Sequence, residues 1–193
     1  LHEVFPEVPD YRTRLAESLT AQGQLLTRLE RLDEARQLLD RALSTFSQIL
    51  QNNPEESPAR FGLAIALTVQ ARIELASNNA DIARSKFEAA IKEFDQLPAE
   101  PRYQFEYGWL LANCEVPQLR NPLKALAISQ DLTAQSPSNA NYWNLSAMSS
   151  YRAGNINSSI ESVEIAQKLH PSDDGTCSFI LALCHAAESR MTR

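Results

Sequence analysis

Glycine is scarce in this chain, 5 residues in 193. Long glycine-free stretches exclude a turn-rich β fold, which needs left-handed residues every few positions, and suit helices. Cysteine is scarce too. Cys114, Cys177 and Cys184 form no C-x-x-C pair, and an odd, sparse set excludes a disulfide framework and favours a reducing compartment, so a cytoplasmic location is expected. Cys177 and Cys184 lie on one helix face beside His185, but the spacing supplies no metal-ligand set, and buried structural thiols are expected. Positive charge is the minority sign: 18 Lys and Arg against 24 Asp and Glu give a net charge of −6. Nucleic acid and anionic membrane surfaces need a basic face and are therefore excluded as main partners. No apolar run approaches the ~20 residues of a membrane span. Neither a signal peptide nor an initiator Met opens the chain. "LHEVFPEVPDY" reads as the interior of a longer protein.

Catalytic groupings are lacking as well. His2, His170 and His185 are scattered, and no Ser/His/Asp or Cys/His arrangement can be assembled around them. Asp173-Asp174-Gly175 lacks the later ligands of a calcium loop and reads as acidic residues at a helix start. No enzymatic activity, metal or cofactor is expected.

What the chain does have is apolar and small residues at helical spacing along almost its whole length. The spacing predicts helices over 10–29, 32–52, 58–77, 80–96, 100–114, 122–136, 139–153, 156–169 and 174–190, with no strand. Capping residues mark the breaks: Asp10, Asp33, Ser57 before Pro58, Asn79, Asn121 before Pro122, Ser138, and Ser172 or Asp173. The short links imply antiparallel neighbours.

The second helices of successive pairs align with one another. Ala35 and Ala42, Ala83 and Ala90, Ala125 and Leu132, and Ser159 and Ala166 each enclose a knob: Leu39, Phe87, Ser129 and Val163. Small, then apolar, then small on one helix face lets the preceding helix approach closely while the knob fills the remaining gap. The fourth unit adds Trp143, Ala147, Gly154 and Pro171 in phase. This pattern resembles the tetratricopeptide repeat, whose template runs aromatic, small, turn Gly, Ala, Phe, Ala, Pro. The resemblance implies an all-α right-handed superhelical solenoid of antiparallel helix pairs spanning 1–193 as one domain. Its units fall at about 10–54, 55–97, 98–137 and 138–171, with a capping helix over 172–190 and a remnant of a preceding repeat over 1–9. "CEVPQLRNP" is an insertion between the helices of the third unit. "WLLANC", "RNP" and "YRAG" also resemble the C-terminal repeat tails of large bacterial proteins such as Ser/Thr protein kinases, although no kinase motif is present here.

In that family the first helix of each pair lines the concave surface. The template phase places Glu17, Thr20, Gln24 and Thr27 there in the first unit, and Ile65, Thr68, Arg72 and Leu75 in the second. The third unit offers Arg102, Phe105, Trp109 and Asn113. The fourth offers Asn141, Asn144, Met148, Tyr151 and Arg152. Aromatic, amide and guanidinium groups side by side can anchor an extended segment by stacking and bidentate bonds. A protein or peptide ligand is expected on Arg102, Phe105, Trp109, Asn113, Asn144, Met148, Tyr151 and Arg152; packing between repeats is the competing role for Phe105, Trp109 and Met148. The family's clamp for a chaperone's C-terminal carboxylate is not matched, since Thr20, Gln24 and Val69 stand at its places and Glu106 replaces an expected Arg. The alternatives to a binding scaffold are a structural spacer or self-association arm and, last, a small-molecule pocket.

Overall fold

The computed structural model describes residues 9–170 and 175–191. Among these residues the chain is all-α, with nine α-helices, one short 3-10 turn and no strand. They are α1 (Pro9–Arg28), α2 (Leu32–Asn52), α3 (Ser57–Ala76), α4 (Ala80–Asp95), α5 (Pro101–Asn113), α6 (Pro122–Gln135), α7 (Ala140–Arg152), α8 (Ile156–Leu169) and α9 (Thr176–Met191). Two compact units emerge, Leu1–Pro98 and Ala99–Arg193. The division falls between the second and third repeats.

In the first unit α1 pairs with α2, α3 pairs with α4, and α1 and α2 both pack on α3. The second unit pairs α5 with α6 and α7 with α8, sets α7 beside α5, and lays α9 against α7 and α8. The small-knob-small register explains the close pairing. Ala35, Leu39, Ala42, Ala83, Phe87, Ala90, Ala125 and Ser159 are all 0% exposed, and Ala166 is 1% exposed. Glycine extends the same device on the facing helices. A Cβ on Gly108 would meet Leu145 Cδ2 at 2.9 Å and Ile128 Cγ2 at 3.1 Å. One on Gly62 would fall inside the Phe46 ring.

Three hairpin turns are built alike. Glu30, Asn78 and Gly154 take left-handed φ values of 59°, 61° and 85°. The next amide in each turn closes it, Arg31 N on Leu26 O (2.9 Å), Asn79 N on Glu74 O (2.8 Å) and Asn155 N on Ser150 O (2.8 Å). This is the Schellman closure, which satisfies the last carbonyls of a helix. The third hairpin departs from it, because the insertion intervenes. There Val116 is buried, a 3-10 turn runs Pro117–Leu119, and Asn121 N returns to Leu111 O at 2.9 Å.

The caps need correcting in four places. Helix α1 starts at Pro9, so Asp10 lies inside it. Arg31, not Asp33, precedes α2, and Glu56, not Ser57, precedes α3; neither side chain bonds the helix start. Asn139 rather than Ser138 caps α7, accepting from Asn141 N at 3.0 Å. Asn121 caps α6 as predicted, accepting from Lys124 N at 3.0 Å. Asn79 precedes α4 but turns its amide onto Glu74 instead. Pro171, Ser172, Asp173 and Asp174, and the 1–8 part of the predicted remnant including His2, lie outside the described residues.

Candidate functional site

The predicted inward positions split by unit. In the first unit Thr20 and Thr68 are 4% and 8% exposed, and each hydroxyl bonds back to the carbonyl four residues earlier, Ala16 O and Ala64 O, at 2.9 Å. These two hydroxyls are buried and already bonded within their own helices, so they offer little to a ligand, whereas Glu17, Gln24, Thr27, Ile65 and Leu75 are half-buried and Arg72 is exposed.

In the second unit α5 and α7 lie side by side and carry an open aromatic ladder. Phe105 stacks on Trp109 with ring centroids 6.3 Å apart and planes at 29°, and Tyr142 of α7 lies 5.8 Å from Phe105 at 44°. All three rings are half-buried. Phe105 and Trp109 line a groove of about 240 Å³ with Glu106, Asn141, Asn144 and Thr176, and Tyr142 packs beside Phe105 outside that lining. A polar cavity of about 600 Å³ shares Asn141 and Asn144 and continues past Asn139 and His170 to Cys177. The Asn144 carboxamide oxygen accepts from Cys177 Sγ at 3.2 Å.

Of the predicted residues, Phe105, Trp109 and Asn144 therefore come together. Met148 does not join them: it is 2% exposed and lines neither the groove nor the larger cavity. Asn113 sits on the last turn of α5, half-buried, with its amide on Trp109 O at 3.3 Å. Arg102 is exposed on the first turn of α5.

Tyr151 and Arg152 occupy the other end of α7, with the guanidinium carbon 5.7 Å from the tyrosine ring centre. Burial, then the charge of Arg120, lowers the Arg152 pKa from its ordinary value, against a small opposing effect of Tyr151. A guanidinium nonetheless stays protonated at any physiological pH. Arg120, on the insertion, donates its Nε–H to Cys114 O at 2.7 Å.

The sequence reading missed Tyr142 and Arg120, and it named Glu106 only as a departure from the carboxylate clamp. Tyr142 falls between two template inward positions. Arg120 belongs to an insertion for which the template has no phase. Trp143, the template aromatic, stays out of the groove and donates its Nε1–H to Pro137 O at 2.7 Å, tying α7 to the preceding link. Cys184 is buried with its thiol on Ser159 Oγ at 3.2 Å, and Ser159 in turn donates to Ala147 O at 2.7 Å.

The tetratricopeptide-repeat family model matches residues 20–76 and again 68–113. Residues 20–113 are thus similar to tetratricopeptide repeats. Such repeats are scaffolds for protein–protein interaction. The helix pairs of the second unit continue the same small-knob-small register beyond the matched residues. No curated protein matches the chain. A solved structure described as "MamA RS-1 ArsTM double mutant" is similar, with a TM-score of 0.49 and 14% identity, over 91% of this chain and 96% of that one.

Proposed function

We propose that this tetratricopeptide-repeat chain is a non-catalytic scaffold that binds an extended segment of a partner protein between α5 and α7. The observation that carries the reading is the half-buried Phe105–Trp109 stack, backed by Tyr142, on a groove also lined by Glu106, Asn141, Asn144 and Thr176. Aromatic faces supply the apolar area, and Asn141 and Asn144 supply donors and acceptors for a peptide backbone. A groove of this size, with ordering costs to overcome, holds a segment with a Kd of about 1–100 μM. The "WLLANC", "RNP" and "YRAG" stretches support placing the chain as an accessory region of a larger bacterial signalling protein, and three free, buried cysteines suit a cytoplasmic setting.

The test is selection of short random peptides displayed on phage, run in parallel against wild type and a Phe105→Ala/Trp109→Ala double variant. Wild type enriches peptides with an aromatic or large apolar anchor, and the folded variant loses at least tenfold in affinity for them. Equal enrichment on both would move the binding surface elsewhere. Self-association is the competing reading, favoured by Phe179 on α9, which is 58% exposed. Sedimentation equilibrium of wild type and Phe179→Ser decides it: a dimer lost in the variant supports that role.

A further inference from the structure

Glu106 is the one charged residue among those that line the aromatic groove. It lies three residues before Trp109 on α5, so the carboxylate and the indole are neighbours on one face of the helix. Both side chains are half-buried. Arg102, one turn earlier, is exposed and does not line the groove. The remaining lining is neutral: Phe105, Asn141, Asn144 and Thr176. An aromatic ring draws a cation to its face, tryptophan most strongly. A carboxylate beside the ring adds a second pull on the same cation. The contacts that Glu106 already makes within the chain do not exhaust it, because its two oxygens carry about four acceptor positions. At about 240 Å³ the groove is smaller than pockets that enclose a whole small molecule, about 300–1,000 Å³, and suits side chains of a segment lying over it. The chain's net charge of −6 favours the approach of a basic partner.

We propose that the groove takes a basic segment, with a lysine or arginine beside the segment's aromatic or apolar anchor. The charge meets Glu106 and the aliphatic stem lies along Trp109. This inference rests on the groove reading and adds the charge of the partner to it. Arginine fits better than lysine, since a planar guanidinium both stacks on a ring and pairs with a carboxylate through two N–H donors. An acidic residue is repelled at the same place.

The experiment selects displayed random peptides on the whole chain as wild type, Glu106→Gln and Glu106→Arg. Wild-type pools should carry Lys or Arg next to the anchor or one position beyond it. Glu106→Gln pools should keep the anchor and lose the basic residue, and Glu106→Arg pools should replace it with Asp or Glu. Synthetic copies of one peptide selected on wild type, with Arg, Gln or Glu at the basic position, then give affinities by titration. The Arg copy should bind wild type about three- to fivefold more tightly than the Gln copy, the scale of a partly exposed charge pair, and the two should bind Glu106→Gln equally. Raising salt from about 0.1 to about 1 M should shrink the preference. A wild-type pool with no basic bias, or a bias that persists in Glu106→Gln, overturns the proposal. If those peptides are still lost by Phe105→Ala/Trp109→Ala, the groove reading stands without it. Peptides kept by that double variant remove the groove and this inference together.

Discussion

At the residue scale, the repeat is a contest between helix propensity and space. Alanine is favoured over glycine in a helix by about 1 kcal/mol. At Gly62 the added methyl would enter the Phe46 ring, which is itself fully buried and cannot swing away. Overpacking of that kind costs about 1–3 kcal/mol and outweighs the propensity gain. Gly62→Ala is therefore expected to lower the urea midpoint, and so is Ala166→Leu at the closest approach of α8; a neutral Ala166→Leu would mean that the register of the fourth unit is wrong. Glu74 carries a different residue-scale effect. Its carboxyl is held below the ordinary range chiefly by the Asn79 amide at 2.7 Å, with burial opposing and Arg36 at 3.2 Å assisting. A depressed carboxyl stabilises the fold above its unfolded pKa, and the contribution fades as pH falls through the ordinary glutamate value of about 4.3 toward the lower folded value. Wild type should thus lose more stability than Glu74→Gln between neutral and acid pH, read from urea midpoints; parallel losses would show that the Asn79–Glu74–Arg36 set adds nothing.

At the element scale, three turns share one geometry: Gly154 is the residue it favours most, Asn78 tolerates it, and Glu30 does not suit it. Glu30 and Asn78 hold left-handed φ with a side chain present. Glu30→Gly removes that strain at the cost of a looser unfolded chain, and a gain of about 0.5–1 kcal/mol is expected from thermal unfolding. Gly154→Ala should lose about 1 kcal/mol although nothing crowds its Cβ, because the penalty lies in φ itself. The same comparison shows what could be read in advance. Helix positions were legible because apolar spacing is dictated by burial, and Ala35, Ala83 and Ala166 could be placed from it. Turn chemistry was legible at Gly154 and hidden at Glu30, where the backbone overrides the residue. Caps were misplaced at Asp33 and Ser57, because hairpin closure through Arg31 N, and Pro58 within the first turn, started those helices without a side-chain oxygen.

At the scale of the whole molecule, the proposed binding surface lies in the second unit. Template phase alone located Phe105, Trp109 and Asn144, but it also named Met148, which is buried, since phase fixes direction and not what packs there. Tyr142 and Arg120 needed coordinates. Along α7, Asn144 and Arg152 lie eight residues apart, about 12 Å at 1.5 Å per residue. An extended segment covers that distance in three or four residues at about 3.3 Å each. Displayed peptides that use both places should therefore carry an aromatic or apolar residue and an acidic one three or four positions apart. Enriched peptides without that spacing would show that Arg152 takes no part in binding at the groove.

The central claim is that the α5/α7 groove is the binding surface. The most direct measurement is backbone-amide NMR mapping of the highest-affinity displayed peptide on the labelled chain. The account predicts that the largest shifts cluster on α5 and α7 around Phe105, Trp109, Asn141 and Asn144, and that they vanish in Trp109→Ala. Shifts centred on α6 and α8, or on the first unit, would contradict it.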